Sequence, residues 1–372
     1  MTKRLFLGFL VLIFFIGCTG VPDTQKIEKV VEEVGQEYAP DSRLEVWDIT
    51  IGTNGPGITV NGETTSLQGF EALRTSLENE FPDLQKQYDV LLLPDTSLGE
   101  KSKGIIRVTV AHVRSGPKNS AMMVTQGLMG APVSLLKEDR GYYYVKMEDG
   151  YLGWVRKYSV TANDVKSQAN WLESPLAVYN QKQGMIYEQP DRSSYPVSGI
   201  VLGSRVKIKD SSPRWVRVEL PDDRAGFIPR NELYTMNEFQ EVQPQPEKIA
   251  NLARQMLGVT YLWGGTSTHG FDCSGFTQTV MKMNGVELPR DANMQVNEGT
   301  EIDTTGNLAR LQPGDLLFFG KNPDRITHVG LYLGDLEFIH SSGMVKINSF
   351  DSAEPNYNEF RHKTLRYVKR MF

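Results

Sequence analysis

The sequence predicts an α+β chain with a β-rich centre. Three observations support this class. The 372 residues include 34 glycines and few long helical periodicities, so the chain turns often. Its middle repeats itself at a constant spacing of 73 residues. Beyond residue 247, two helical periodicities precede a series of alternating apolar runs, the order expected of an α+β domain. Hydrophobic residues make up 40% of the chain, enough for ordinary globular cores. The length suits roughly two to four domains. A net charge of −5 offers no basis for nucleic acid binding.

The N-terminus reads as an export signal over residues 1–18. Lys3 and Arg4 precede an apolar run, 5–16, and then Gly17-Cys18. That run is too short to span a bilayer and has the basic flank of a signal peptide. The small residue before Cys18 resembles a bacterial lipobox, although Phe15 stands where Leu is usual. The resemblance implies cleavage before Cys18, lipid on its sulfur, and a periplasm-facing body tethered to the membrane. Ordinary secretion with Cys18 discarded is the alternative.

Residues 19–40 are polar and charged, suited to a tether or a short helix. Segments 43–51 and 58–63 alternate like strands. Phe70, Leu73, Leu77 and Phe81 share helical spacing, and 89–93 reads as a third strand. These make a small α+β domain within 19–104, suited to spacing or packing, with no sign of chemistry.

The repeat follows. Shifted by 73 residues, Pro117 falls on Pro190, Val124 on Val197, Gly130 on Gly203 and Gly153 on Gly226. Trp154 falls on Phe227 and Val155 on Ile228. A gapless offset predicts two copies of one small β domain, at 105–165 and 166–240. The closing glycine–aromatic–aliphatic step resembles bacterial SH3-like barrels, with Trp154 and Phe227 as core or rim residues. Alternating prolines in 241–246 form a semi-rigid linker into the last domain, 241–372. There a helix over 246–257 stops at Gly258, a second covers 272–284, and strands follow at 315–319, 327–333, 337–341 and 364–368.

The chemistry centres on Cys273. The only other cysteine is Cys18, so a lone thiol opens a helix in Gly270-Phe271-Asp272-Cys273-Ser274-Gly275-Phe276. A helix N-terminus and a nearby imidazole both favour a thiolate nucleophile. Its polar, glycine-rich neighbours weigh against a merely buried packing cysteine. His328 and His340 lie on consecutive strands joined near Gly334-Asp335. Both are even-numbered, whereas Val329, Leu331, Leu333 and Ile339 are odd and claim the core face. The histidines share a face only if the hairpin has an odd loop or a bulge. His328 would then serve as base and His340 as its orienter. Zinc is disfavoured, because no close ligand spacing occurs, and no cofactor is required. His269 reads as a solvent-exposed residue at the rim, and His112 and His362 have no role.

Six segments together resemble the NlpC/p60 cell-wall cysteine peptidases. They are Tyr261-Leu-Trp-Gly-Gly-Thr, Gly270 to Phe276, Leu288-Pro-Arg-Asp, Leu311-Gln-Pro-Gly-Asp-Leu, His328-Val-Gly-Leu-Tyr and Ile339-His-Ser-Ser. The resemblance covers about residues 247–372. It implies a papain-like NlpC/p60 catalytic domain with Cys273, His328 and His340 as the triad. It further implies that Tyr261 hydrogen-bonds near the thiol, and that Asp272 and Ser274 line the substrate site. Arg290 reads as a structural ion-pair partner. Two SH3-like barrels ahead of such a domain are similar to one branch of the family. Members of that branch cut murein peptides between γ-D-glutamate and a diamino acid and prefer a free N-terminal L-Ala. In that branch an aromatic matching Tyr151 reaches the substrate amine with help from an acid. No acid occurs in 111–137, so either the acid comes from elsewhere, with Glu138 or Glu148 as candidates, or selectivity for the amine is relaxed. Two rivals stand beside this reading: an endopeptidase on intact wall with the barrels as anchors, and a murein-binding protein of low turnover. No obligate protein partner is implied.

Overall fold

The computed structural model describes residues 23–55, 57–304 and 308–372, so the expected signal and Cys18 lie outside the described residues. The chain forms two compact units that divide at Leu93 and Pro94, earlier than the expected boundary at 104.

The first unit is built from α1 (Thr24–Tyr38), β1 (Trp47–Asn54), β2 (Gly57–Thr64), α2 (Leu67–Glu80) and β3 (Lys86–Leu92). β1 and β2 are antiparallel, and α2 carries the chain across to β3, which runs parallel to β2. The Ser66 side chain caps α2 by accepting the N–H of Gly69. Leu73 and Leu77 face Ile27, Val34, Ile58 and Val60 in one apolar layer between helices and sheet.

The second unit opens with two seven-stranded antiparallel barrels. The first comprises β4 (Lys103–Ile106), β5 (Val110–Arg114), β6 (Met123–Leu128), β7 (Pro132–Asp139), β8 (Tyr142–Lys146), β9 (Leu152–Arg156) and β10 (Val160–Asn163). After α3 (Val165–Leu172), the second comprises β11 (Leu176–Tyr179), β12 (Gln183–Tyr187), β13 (Pro196–Val201), β14 (Arg205–Ser211), β15 (Trp215–Glu219), β16 (Ala225–Pro229) and β17 (Leu233–Thr235). Each strand of one begins 73 residues from its counterpart, and the neighbour order is identical in both. Gly130 and Gly203, equivalent by that offset, take φ of 82° and 85°, a left-handed turn that disfavours any side chain. β4 precedes the repeat's expected start, which explains why 94–104 belongs with the barrels.

The C-terminal domain follows α4 (Met236–Gln240). It contains α5 (Pro246–Gln255), β18 (Thr266–Ser267), β19 (Gly270–Phe271), α6 (Cys273–Lys282), α7 (Ala292–Gln295) and β20 (Thr300–Glu301). These are followed by β21 (Leu316–Gly320), β22 (Ile326–Gly334), β23 (Glu337–Ser342), β24 (Met344–Ser349), α8 (Glu359–Thr364) and β25 (Leu365–Arg370). The antiparallel sheet has the order β20-β25-β21-β22-β23-β24. One face packs Val329, Leu331, Leu333 and Ile339 against Phe276 and Val280 of α6 and Ile249 of α5. The other packs Leu317, Phe319, Tyr332, Phe338 and Phe350. Both faces are therefore apolar, as in a sheet covered on two sides.

Candidate active site

Cys273 is placed by the start of α6. Asp272 has extended backbone, and its carboxylate accepts the N–H of Gly275 at 2.7 Å, so the helix begins at the cysteine. The turn lies flush against the preceding loop. A Cβ on Gly275 would come within 2.0 Å of the Gly265 carbonyl oxygen, so only glycine fits there. The backbone N–H groups of Ser274 and Val329 are directed at the sulfur. The residue keeps some exposed surface at the cleft, yet protein crowds the sulfur itself. Burial, then the neighbouring Asp272, push the thiol up to about 11, against the pull of the two N–H groups and Arg290. The resting sulfur is therefore protonated and needs a base.

The candidate base is on the sheet, where His328 immediately precedes Val329, whose N–H is directed at the sulfur. The β22–β23 ladder runs from Gly334–Glu337 to Leu331–Ile339 and stops there, so Val329 and His328 lie beyond its end. The turn is Asp335-Leu336, both with positive φ, and the register slips between Tyr332 and Gly334. This bulge meets the parity demand: His328 and His340 share a face, with Phe319 5.7 Å from the first ring and Phe338 5.2 Å from the second. Gly330 stands beside them because a Cβ there would meet His340 Cβ at 3.1 Å.

Hydrogen bonds set both histidine tautomers. Asn348 Nδ2 donates to the Asn356 carbonyl at 2.9 Å, so Oδ1 is the atom that faces His340. Asn358 Nδ2 donates to that same Oδ1 at 3.0 Å. His340 Nε2 lies 2.9 Å from it and must carry the proton. Neutral His340 then has a bare Nδ1, which accepts from His328 Nε2–H at 2.7 Å. His328 is left with a bare Nδ1, the state of a general base. Burial holds both rings neutral. It drives His328 well below its ordinary value, with Arg361, His340 and Lys346 adding repulsion. It brings His340 down to about 4 although Asn348 opposes it.

The opposite wall is anchored by Arg290. Its buried guanidinium donates to both Asp272 oxygens, at 3.2 and 2.5 Å, and to Ser274 Oγ at 3.0 Å. It also donates to Thr125 of the first barrel at 3.0 Å. Gln126 of that barrel accepts the N–H of Thr266 at 2.9 Å. Asp272 and Ser274, expected to line the cleft, are both buried and already bonded within this cluster. Tyr151 is buried, and its hydroxyl donates to Asp291 at 3.0 Å. The acid beside Tyr151 is thus Asp291 of the C-terminal domain. Glu138 pairs instead with Lys157, and Glu148 with Arg205 and Lys282. Tyr261 is half-buried; burial, then Cys273 and Asp272, push its phenol up to about 12, so it remains an O–H donor. His269 is exposed.

Sequence reasoning missed Asp291, Asn348 and Arg361. Asp291 closes the quoted segment Leu288-Pro-Arg-Asp, so its signal was present. Asn348 lies on β24 and Arg361 on α8, neither of which was anticipated.

The NlpC/P60 family model matches residues 258–366, and a bacterial dipeptidyl-peptidase SH3 domain model matches 113–160. A gamma-D-glutamyl-L-lysine dipeptidyl-peptidase of Bacillus subtilis (strain 168) is 43% identical over 248 residues, covering 61% of this chain and 75% of that protein. A protein of the same description from Bacillus cereus (strain ATCC 10987 / NRS 248) is 28% identical over 234 residues, covering 60% and 68%. In fold, an NlpC/P60 family protein from Bacillus cereus ATCC 10987 superposes with a TM-score of 0.63 at 23% identity, covering 72% of this chain and 99% of that one. With a thiol, a neutral histidine pair and a close relative of this extent, the chain belongs to the NlpC/P60 family of cysteine peptidases.

Proposed function

We propose that the protein cuts murein peptides between the γ-carboxyl of D-glutamate and a diamino acid, and requires a free N-terminal L-Ala. The observation that carries this reading is the Tyr151–Asp291 pair. A tyrosine of the first barrel donates to the carboxylate that follows Arg290 in the chain, and Arg290 bonds to Asp272 and Ser274 on either side of Cys273. A substrate ammonium suits that place, and a chain continuing beyond it would meet the barrel. Asp272 and Ser274 form the wall behind it, kept in shape by Arg290. The activity named for the Bacillus relatives points the same way.

In the catalytic step, His328 Nδ1 takes the Cys273 proton while sulfur attacks the γ-glutamyl carbonyl carbon. The N–H of Cys273 and the Tyr261 hydroxyl stabilise the oxyanion. The intermediate collapses as protonated His328 hands its proton to the leaving amine, giving a thioester. Water then attacks the thioester with His328 again as base, releasing the dipeptide and restoring the thiol. His340 and Asn348 keep the His328 ring in its productive tautomer throughout. Lipid on Cys18 would hold the enzyme on the periplasmic side of a membrane, where such fragments arise.

The test is parallel digestion of L-Ala-γ-D-Glu-L-Lys, its N-acetylated form and intact murein sacculi, with Cys273→Ala as control. Release of L-Ala-D-Glu from the free tripeptide, with acetylation lowering kcat/KM about 100-fold, is expected. Solubilised sacculi would replace this reading with that of a wall hydrolase.

A further inference from the structure

The two walls of the cleft differ in charge. Beside Cys273, Arg290 has its acid in Asp272, and Asp291 adds a second carboxylate. Beside the histidines stand two cations. Lys346 is directly opposite His340 in the β23–β24 register, so its side chain leaves on the same face. Arg361 lies on α8, whose N-cap Asn358 accepts the Arg361 N–H at 3.0 Å and donates to Asn348 at 3.0 Å. The short helix is thereby tied to the hydrogen-bonded chain that orients both histidines. The Arg361 guanidinium lies over the Phe319 ring, 5.4 Å from its centroid, and the Phe319 centroid is 5.7 Å from that of His328. Phe360 flanks the guanidinium on another side at 5.3 Å. Among the described residues no carboxylate or carbonyl accepts from this guanidinium. A partly buried guanidinium is ordinarily matched by an anion, and its planar fork suits a carboxylate.

We propose that Arg361, with Lys346 adding positive field, binds a carboxylate carried by the leaving diamino acid. This inference rests on the γ-glutamyl reading above and names what the leaving half must carry. His328 must reach the leaving nitrogen to protonate it. The α-carboxyl of that residue hangs from the carbon next to the nitrogen, and so falls on the histidine side, toward Arg361. A diamino acid that is amidated, or that continues into a longer peptide, brings a neutral carbonyl there instead. The enzyme then favours fragments with both ends free: an amine at Asp291 and a carboxylate at Arg361.

The test compares kcat/KM of the purified full chain on L-Ala-γ-D-Glu-L-Lys as free acid and as C-terminal carboxamide. A third substrate ends in diaminopimelate with its α-carboxyl amidated and its side-chain carboxylate free. The unsubstituted enzyme should favour the free acid about 10- to 100-fold. Arg361→Met should lose that factor on the acid alone, and Arg361→Lys should keep part of it, with thermal unfolding unchanged. An Arg361-dependent preference for the third substrate over the lysine amide assigns the side-chain carboxylate as partner. Equal rates on all three substrates, or an equal loss on acid and amide in Arg361→Met, would overturn the inference and leave Arg361 as a modulator of the histidines. If the unsubstituted enzyme cleaves none of them, the γ-glutamyl reading itself fails and carries this inference with it.

Discussion

The two barrels share a fold and are put to different uses. Their strands correspond one for one at a 73-residue offset, and equivalent positions meet successive neighbours. In the first barrel, Gln126 and Tyr151 bond to Thr266 and Asp291 of the catalytic domain. The equivalent residues of the second are Gly199 and Arg224. These meet the first barrel, where Thr109 donates to the Gly199 carbonyl at 2.8 Å and Arg224 reaches the Arg107 carbonyl at 3.4 Å. One docking face is thus used twice. The first copy projects a phenol and an amide onto the catalytic domain, while the second offers bare backbone and a cation already paired with Asp222 of its own barrel. The barrel supplies the platform, and the side chains at two positions decide whether it takes part in chemistry.

The strongest way to break this comparison is at the first docking face. Arg290→Met would leave Asp272 buried without its cation and remove the bond to Thr125. A loss of about 3–5 kcal/mol is expected in urea unfolding. A loss under 1 kcal/mol would show that the barrel contact does not depend on this cluster.

Equivalent substitutions in the two barrels sharpen it. Tyr151→Phe should lower kcat/KM on the free-amine tripeptide about 10-fold without changing stability much. Arg224→Ala, at the same place in the second barrel, should stay within about twofold. Equal effects would mean that both barrels act only as supports.

A change confined to the histidines serves as a control for both. Asn348→Asp places a carboxylate against His340 Nε2–H and stabilises the imidazolium. The acid limb of the kcat/KM profile, where the histidine pair protonates as pH falls, should move up by about one pH unit. Selectivity for the free amine should be untouched.

The smallest effect belongs to the brace between the barrels. Burial works to raise the Glu148 carboxyl, but Arg205 and Lys282 overcome it and hold it at about 2, below the ordinary 4.5. A folded-state value below the unfolded one stabilises fully above about pH 4.5 and fades as pH falls toward 2. The carboxylate is 38% exposed, so screening limits its worth to roughly 0.5–1 kcal/mol. Glu148→Gln should cost that much at pH 7 and only a small part of it at pH 2, measured by thermal unfolding.

Most of the architecture was legible because it rests on local periodicity. The helix of 67–81 appears as Leu67–Glu80 and that of 272–284 as Cys273–Lys282. The four strands anticipated in the last domain all form within about two residues of their expected ends. β24 was overlooked because it follows β23 after a single glycine, Gly343, whose turn gives no longer punctuation. α8 was overlooked because six residues carry too little periodicity to be seen. Those two elements hold Asn348, Lys346 and Arg361, so the histidine wall was read only in part. The acid near Tyr151 was sought within its own barrel, whereas Asp291 lies 140 residues along the chain.

The sequence by itself determined most of the elements, the repeat, and a lone thiol with two histidines of equal parity. Caps, turns and alternation act between residues a few positions apart, and a string of letters records them directly. Only the tertiary structure decided that the histidine hairpin carries a bulge, which histidine nitrogen is bare, which acid answers Tyr151, and that among the described residues none answers Arg361. Those outcomes depend on hydrogen bonds and charges brought together by chain closure, where any of many carboxylates and amides of the right type was available to the sequence and packing selects one.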